Sequence, residues 1–131
     1  MTPTLDLMIR GVPYGKNKSR VDRTAPERWS KAVEQQTRDA AQVNGACIMR
    51  VMFLLPPDKF PTDLPFGPDL DNLLKPLLDA LNQTVFRDAP SYDSCVIELH
   101  ATKVRVPTTA EAGARIEIFL AKAEGDLNHP A

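Results

Sequence analysis

Apolar and polar residues alternate along several short stretches of the chain, which is the pattern of strands with one buried face. The first stretch is Leu5–Arg10, where every second residue is leucine or isoleucine. Residues 46–55 form an almost continuous apolar run, which predicts a central strand covered on much of both faces. Residues 95–106 and 114–120 alternate again, and we expect these two strands to form an antiparallel hairpin. The apolar positions of residues 95–106 change parity near Thr102, which predicts a β-bulge there.

Two other stretches carry apolar residues at intervals of three and four, which is the pattern of helices with one buried face. A capping sequence at Thr24 begins the first helix, and we expect it to end at Asn44-Gly45. Because proline is tolerated only in about the first turn of a helix, Pro76 predicts that the second helix begins near Asp71. The apolar stripes are Trp29, Ala32, Val33, Ala40 and Val43 in the first helix and Leu73, Leu74, Leu77, Leu78 and Leu81 in the second.

The predicted elements follow one another in the order β-α-β-α-β-β. This order predicts an α+β fold with a single mixed β-sheet of about four strands and two main helices. The chain has 131 residues, of which 43% are hydrophobic, and this suits one compact domain. We place the domain at residues 1–121 and a polar C-terminal tail at residues 122–131.

Two features of the sequence bear on the compartment of the protein. The first residues lack a basic segment followed by an apolar run, and no stretch approaches the length of a membrane span, so we expect a cytoplasmic protein. Cys47 and Cys95 lie in apolar runs without a metal-binding spacing, which predicts free buried thiols.

Charge is distributed unevenly along the chain, although the formal net charge is only −1. Residues 10–31 contain seven basic and two acidic residues, so this segment has a charge of +5 and the rest of the chain has −6. A loop within it carries Lys16, Lys18, Arg20 and Arg23. Since cations bind phosphates and carboxylates bind metal ions, the distribution fits a metal-dependent enzyme that acts on a polyanion. A solvated loop is the alternative.

The acidic residues of most interest lie in the sequence P-D-L-D-N-L-L-K-P-L-L-D at residues 68–79. Asp69 and Asp71 lie close together at the start of the second helix, where two carboxylates repel each other unless a cation lies between them. A hard divalent ion such as Mg²⁺ suits this arrangement, because it takes oxygen ligands from a few carboxylates and from a phosphate. The alternatives are simple helix capping by the aspartates and, for Lys75, an ordinary ion pair with Asp71.

The sequence D-L-D-N-L-L-K-P-L-L-D-A-L-N, followed after a turn by an Asp and then by V-I-E-L-H-A-T-K, resembles the RusA family of Holliday junction resolvases. The close resemblance covers residues 68–103. It implies that Asp69 and Asp71 bind Mg²⁺, with Mn²⁺ as a possible substitute, and that Lys75 acts in catalysis. Asp69 and Asp71 would then be catalytic residues as well as metal ligands.

The resemblance offers two candidates for a third metal-binding carboxylate. The family usually has two adjacent acids directly before its strand, whereas this chain reads R-D-A-P-S-Y-D-S-C-V. Counting from the helix places Asp88 on the first acid and Ala89 on the second, but counting back from the strand places Asp93 on the second. An insertion of about four residues reconciles the counts. Because the family's ligand is the second acid, we assign the catalytic and metal-binding role to Asp93 and keep Asp88 as the runner-up.

The resemblance also implies an activity and partners. It implies a homodimeric, Mg²⁺-dependent endodeoxyribonuclease that resolves four-way DNA junctions by paired symmetrical nicks in DNA recombination and repair. The near two-fold symmetry of a junction agrees with a homodimer. The residues expected to bind the branched DNA are Lys16, Lys18, Arg20 and Arg23. The alternative functions are a non-catalytic DNA-binding module and a phosphatase that uses the pair Asp69 and Asp71.

Overall fold

The described residues of the chain form a four-stranded mixed sheet and two main helices. The computed structural model describes residues 2–15, 24–58 and 67–121. Its strands are β1 (Leu5–Arg10), β2 (Cys47–Leu55), β3 (Val96–Arg105) and β4 (Gly113–Leu120), and its helices are α1 (Ala25–Thr37) and α2 (Leu70–Leu81). Short 3-10 helices lie at Tyr92–Cys95 and Thr109–Glu111. The predicted α+β class, the mixed sheet and the order of elements are confirmed.

Two predicted regions lie outside the described residues. One is the set of basic residues Lys16, Lys18, Arg20 and Arg23, and the other is the C-terminal tail at residues 122–131. Their assigned roles therefore remain predictions.

The strands are arranged in the order β1-β4-β2-β3. β4 pairs antiparallel with β1 and with β2, whereas β2 and β3 are parallel and α2 lies in the connection between them. The predicted hairpin of β3 and β4 is therefore wrong. β4 lies between β1 and β2, and its Ile116 is paired with Leu7 on one side and with Val51 on the other. This interior place suits β4 because most of its residues are buried, whereas β3 is largely exposed, as an edge strand is.

The β2–β3 pair is regular where a bulge was predicted. Thr102 pairs with Met52 without interruption, and the register shift lies at the other end of the pair, between Cys47 and Ile48. The predicted position of the bulge is therefore wrong. The apolar residues of β3 change from one face of the strand to the other because β3 is an edge strand. Both of its faces are partly exposed, so neither face requires an apolar residue at every second position.

Both helices cover the same face of the sheet. Their buried side chains belong to one core cluster with alternate residues of β1, β2 and β4. Trp29 is 1% exposed and lies in this core, as its place in the apolar stripe predicts. On the opposite face of β2, Arg50 and Met52 are exposed, so the expectation that β2 is covered on both faces is wrong. β2 is central because it pairs on both sides, not because it is covered on both faces.

The first helix is shorter than its apolar stripe predicts. α1 ends at Thr37 instead of near Asn44. The Thr37 hydroxyl forms a 2.6 Å hydrogen bond with the Thr84 hydroxyl, which links the end of α1 to the segment after α2. Val43 is buried although it lies beyond the helix, and its N–H donates to the Val85 carbonyl at 2.9 Å. Val43 thus continues the apolar spacing of α1 in the sequence although it is not part of the helix, which is why the predicted helix is too long.

The second helix begins slightly earlier than predicted. α2 begins at Leu70, so Asp69 and not Asp71 is its N-cap residue, and Pro76 lies inside the helix. The leucine stripe is confirmed, because Leu73 and Leu77 are fully buried. Among the described residues, no helix combines the length and the apolar character that crossing a membrane requires.

Cys47 and Cys95 are free thiols that lie next to each other, near the first residues of β2 and β3. Cys47 is fully buried and Cys95 is half-buried. Burial, together with the neighbouring Cys95, raises the pKa of Cys47 to about 12 from its ordinary value of 9.0. Cys47 is therefore a poor nucleophile at neutral pH, because the thiolate is the reactive form of cysteine.

We expect Cys47 to make the protein less stable above pH 9. Below this pH the thiol is protonated in both the folded and the unfolded chain. Above it the unfolded chain releases the proton while the folded chain keeps it up to about pH 12, so unfolding becomes more favourable as the pH rises. Between roughly pH 8 and pH 10, the free energy of urea unfolding should fall by about 1 kcal/mol more in the wild type than in Cys47→Ala. Equal falls in the two proteins would contradict the raised pKa.

Candidate active site

Asp69 and Asp71 lie at the N-terminal end of α2. Asp69 has an extended backbone (φ −66°, ψ 150°), and its carbonyl accepts the first hydrogen bond of the helix, from the Leu73 N–H at 3.1 Å. Its side chain makes no capping hydrogen bond. Within the described ranges, neither Asp69 nor Asp71 has a side-chain hydrogen bond or an ion pair, and both residues are exposed. Helix capping therefore does not account for this pair of carboxylates.

Three features fix the chain immediately before Asp69. Gly67 has a φ of 80°, a conformation that favours glycine. The Lys103 ammonium, on β3, donates a 3.0 Å hydrogen bond to the Pro68 carbonyl. Gly15 lies so close to Pro68 that a Cβ added to it would be 2.5 Å from the proline Cβ. The turn into α2 is thus held from the β3 edge on one side and from the chain that follows β1 on the other.

Lys75 lies one turn further along α2 and is exposed. Its ammonium is 3.4 Å from both carboxyl oxygens of Asp79, so its ion-pair partner is Asp79 and not Asp71. The pair is weak, because the Lys75 side chain is 65% exposed and the Asp79 side chain 59%. Lys75 and Asp79 line an open cleft of about 350 Å³ between α1 and α2, together with Tyr14, Pro26, Ser30 and Pro76. Lys75 is therefore available to a ligand in this cleft.

Asp93 lies in the 3-10 helix Tyr92–Cys95, directly before β3. One of its carboxyl oxygens accepts a 3.0 Å hydrogen bond from the side-chain amide of Asn82, at the C-terminal end of α2. The two residues before it, Ser91 and Tyr92, have φ values of 57° and 54°, which are uncommon for residues other than glycine. Asp88 is placed differently: its side chain is 61% exposed and lies 3.8 Å from the Arg87 guanidinium.

The segment between α2 and β3 is a packed part of the fold. Its sequence predicts a short turn, but Val85 and Phe86 are fully buried within it. The Gln42 side chain donates a 2.6 Å hydrogen bond to the Thr84 carbonyl. The adjacent apolar pair Val85-Phe86 is the signal in the sequence that indicates burial here. The segment that carries Asp93 is therefore held by α2 at its start and by the core along its length.

Asp69 and Asp71 both lie at the N-terminal end of α2, whereas Asp93 lies beside Asn82 at the other end of the helix, so the described residues do not assemble a complete metal site. Among the described residues, no group of three or more His, Cys, Asp and Glu side chains is arranged to hold a metal ion. The donors that are present still fit a Mg²⁺-like ion, since such an ion needs only one or two carboxylates and takes waters and substrate phosphates for its other ligands. Near Asp93, the buried side-chain oxygen of Asn82 has no hydrogen-bond partner among the residues that the structure describes. The role of Asp93 as third ligand remains a prediction.

Three residues of this region were not singled out by the sequence analysis. Gly15 and Lys103 fix Pro68, and Asn82 contacts Asp93. Lys103 and Asn82 both lie in the motifs that resemble the RusA family, D-A-L-N and V-I-E-L-H-A-T-K, so their positions were visible but their contacts were not. Nothing in the local sequence relates Gly15 to Pro68, because more than fifty residues separate them.

An exposed carboxylate pair that is not used for capping, with lysines nearby, is the arrangement of an enzyme that acts on phosphate esters with a divalent metal ion. The family model described as endodeoxyribonuclease RusA matches residues 12–120. The chain belongs to this family and is therefore an endodeoxyribonuclease. Among individually curated proteins, no sequence matches the chain.

Membership in the family establishes the general character of the enzyme. RusA nucleases act on branched DNA junctions and depend on divalent metal ions. This membership favours an endonuclease over the two alternative functions, a non-catalytic DNA-binding module and a phosphatase.

We expect Gly15→Ala to impair cleavage of branched DNA. The added Cβ would lie 2.5 Å from the Pro68 Cβ, so one of the two segments must move, and Asp69 follows Pro68 directly. A displacement of about 1 Å at a catalytic group can lower a rate by about a hundredfold. The measurement is the single-turnover rate at saturating protein, with the melting temperature of each variant.

Gly45→Ala is the matched control, because a Cβ added to Gly45 meets nothing within 4 Å. It should keep the wild-type rate. A Gly15→Ala protein that folds and cleaves as fast as Gly45→Ala would show that the contact with Pro68 does not position the site.

Proposed function

We propose that the protein is a Mg²⁺-dependent Holliday junction resolvase that acts in DNA recombination and repair. The observation that carries the proposal is the pair Asp69 and Asp71, whose exposed carboxylates have no partner among the described residues and do not cap α2. Two carboxylates two residues apart at one helix end repel each other, and a cation relieves this repulsion. The family's general dependence on divalent metal supports the choice of ligand.

The acidic residues and Lys75 have different roles in the proposed hydrolysis. Asp69 and Asp71 would hold the metal ion. Asp93, which the resemblance assigns as the third carboxylate, lies at the opposite end of α2, beside Asn82. A bound Mg²⁺ would supply an activated water and polarise the scissile phosphate. Lys75 points its charge into the cleft between α1 and α2 and neutralises charge that develops on the phosphate, or orients the water. Its weak pair with Asp79 leaves its ammonium available for this task.

Lys16, Lys18, Arg20 and Arg23 bind the phosphates of the junction in this proposal. The observation that supports this role is the location of the described residues that precede Lys16 and follow Arg23. Gly15 contacts Pro68 beside Asp69, and Tyr14 and Pro26 line the cleft that contains Lys75. The chain that carries these four basic residues therefore leaves the described structure beside Pro68 and rejoins it near the cleft that contains Lys75.

We also propose that the enzyme is a homodimer that cuts two strands symmetrically. A four-way junction has near two-fold symmetry, so two identical subunits related by a two-fold axis present two equivalent sites to opposed strands. Mn²⁺ is expected to replace Mg²⁺, since both are hard ions that take oxygen ligands.

We expect Asp69→Asn and Asp71→Asn each to lower cleavage of a four-way junction by at least about a hundredfold, because each removes a metal ligand. Binding of the junction should be retained, since the basic residues that hold the DNA are unchanged. The measurement is nicking of labelled four-way junction and of linear duplex in Mg²⁺, beside a gel-shift titration in Ca²⁺ or EDTA.

Asp39→Asn is the control for loss of a negative charge, because Asp39 is exposed in the turn after α1. It should cleave at the wild-type rate. Full activity in either Asp69→Asn or Asp71→Asn would refute the metal site. If the wild type cleaved linear duplex as fast as the four-way junction, the proposed substrate would be refuted.

Replacing Lys16, Lys18 and Arg20 together by alanine should weaken junction binding and make it less dependent on salt. Each phosphate contact contributes about 0.9 to the slope of log affinity against log salt, so three lost contacts reduce the slope by about 2 to 3. The comparison protein replaces Arg38, Arg87 and Arg115, three exposed arginines outside this loop, and should keep the slope. If both triple variants showed the same slope of log affinity against log salt, the loop would not contact the DNA phosphates.

A further inference from the structure

The cleft between α1 and α2 lies one turn of α2 beyond Asp71. Asp71, Lys75 and Asp79 are four residues apart, so they form a row along one side of the helix, and the last two line the cleft. Neighbours in such a row have Cβ atoms about 5–6 Å apart, whereas successive nucleotides of a duplex strand advance about 3.4 Å along its axis. A nucleotide one or two positions from a phosphate held at Asp71 therefore lies beside the cleft.

The charges along this row favour different parts of a nucleotide. Lys75 attracts a phosphate, whereas Asp79, which lies beyond Lys75 as seen from Asp71, repels one. The Lys75 ammonium and the Asp79 carboxylate are only 3.4 Å apart, so this change of sign is abrupt. A DNA backbone that passes Asp71 and Lys75 is thus turned away at Asp79. The part of the nucleotide that fits the cleft is the uncharged base.

The walls of the cleft suit the flat face of a base. Tyr14, Pro26 and Pro76 contribute rings to it, from the chain after β1, from α1 and from α2. Tyr14 is half-buried and packs against the core, so its ring is held in place. Stacking on aromatic side chains is the usual way in which proteins hold unpaired bases. The volume of about 350 Å³ suits one base and not a duplex, whose major groove alone is about 12 Å wide.

The polar groups of the cleft other than Lys75 accept hydrogen bonds. The Ser30 hydroxyl donates to a Glu34 carboxyl oxygen at 3.1 Å, which leaves the lone pairs of its own oxygen as acceptors. The Asp79 carboxylate only accepts, and its weak pair with Lys75 leaves its side chain 59% exposed. Adenine, cytosine and guanine carry an exocyclic amino group that donates, whereas thymine would turn a carbonyl oxygen toward the carboxylate. The cleft therefore matches a base with an amino group.

Branched DNA supplies a base that is able to enter the cleft. Taking a base out of a regular duplex costs stacking and pairing energy, and the cost is least where the base is already unpaired. The continuous stack of base pairs is interrupted at a branch point. Because enzymes of this family act on branched DNA junctions, their substrate offers such a base close to the cleaved strand.

We propose that the cleft between α1 and α2 binds one unpaired nucleobase with an exocyclic amino group, from a nucleotide next to the cleaved phosphate. Tyr14 stacks on this base, and Asp79 accepts a hydrogen bond from its amino group. The inference rests on the proposed function insofar as it places cleavage at Asp69 and Asp71. It goes further by assigning base recognition to a cleft in which the proposed function uses only Lys75.

The first experiment removes the base. The wild-type nick is located in a labelled four-way junction, or in the branched DNA that the enzyme nicks best. The same DNA is then made with an abasic site at each of the two nucleotides on either side of the nick. Gel-shift titrations in EDTA measure the affinities of the wild type, Tyr14→Leu and Tyr14→Phe for intact and abasic DNA. Melting temperatures report folding, and Tyr14→Met replaces Tyr14→Leu if the latter does not fold.

One of the abasic sites should weaken binding to the wild type by about fivefold or more, because a stacking contact is lost. Tyr14→Leu should lose affinity for intact DNA by a similar factor. It should also be insensitive to that abasic site, since the two changes remove one and the same contact. Tyr14→Phe is the matched control, because it keeps the ring, and it should respond as the wild type does.

The second experiment tests Asp79 at the nucleotide that the first identifies. Adenine is compared there with purine, the same ring system without the amino group, each opposite an abasic site so that pairing does not differ. The wild type should bind the DNA with adenine about tenfold more tightly, as for a hydrogen bond to a charged group. Asp79→Ala should bind both DNAs alike. Asp39→Ala removes an exposed carboxylate outside the cleft and should keep the preference.

Three results would overturn the inference. One is a wild-type affinity that no abasic site changes, and another is a folded Tyr14→Leu protein that loses the same factor with intact and abasic DNA. The third is a preference for adenine that persists in Asp79→Ala. Failure of the proposed function looks different: the effects of Tyr14 and Asp79 on binding would persist while another branched DNA was nicked in preference to the four-way junction, or while Asp69→Asn kept full activity.

Discussion

Burial of one face of α2 is the interaction on which the rest of the structure depends. Leu73 and Leu77 are fully removed from solvent in the cluster that also contains the inner residues of β2. Burying a leucine contributes about 2 kcal/mol, so this stripe fixes the rotation of the helix about its axis firmly. The residues between the leucines must then face outward. Asp71 and Lys75 are exposed for this reason, and they share a side of the helix because they are four residues apart.

Rotation of α2 does not by itself place Asp69, which lies just before the helix. The contacts of Pro68 do this, one with Gly15 from the chain after β1 and one with Lys103 from β3. β1 and β3 are the two edge strands of the sheet. The start of α2 is therefore held relative to both edges, and Asp69 gains a defined place. The contact between Gly15 and Pro68 also brings the residue that precedes the basic loop beside Asp69.

The position of β4 between β1 and β2 sets the width of the sheet on which α1 and α2 pack. Because β4 pairs with both β1 and β2, β1 is separated from β2 by one strand, and α1 and α2 lie side by side over the sheet. Gly113 permits the close pairing of β4 with β1, since a Cβ there would overlap the Ile9 carbonyl. The cleft between the two helices, with Lys75 on one wall and Ser30 on the other, is a consequence of this layout.

The sequence by itself predicted the type and order of the elements and the charged face at the start of α2, because these depend on residues that are close in the chain. Leucines at steps of three and four predict α2, and D-x-D followed by a lysine at i+4 predicts a charged face at its start. Only the tertiary structure decided the strand order, the end of α1 at Thr37 and the contacts of Pro68 and Asp93, because each depends on residues that are far apart in the chain. An alternating strand carries no record of its neighbours, which is why β4 was expected beside β3 and lies between β1 and β2. The place of Asp93 is of the same kind: counting along the chain aligns it with a metal ligand, and folding sets it beside Asn82, at the end of α2 opposite to Asp69 and Asp71.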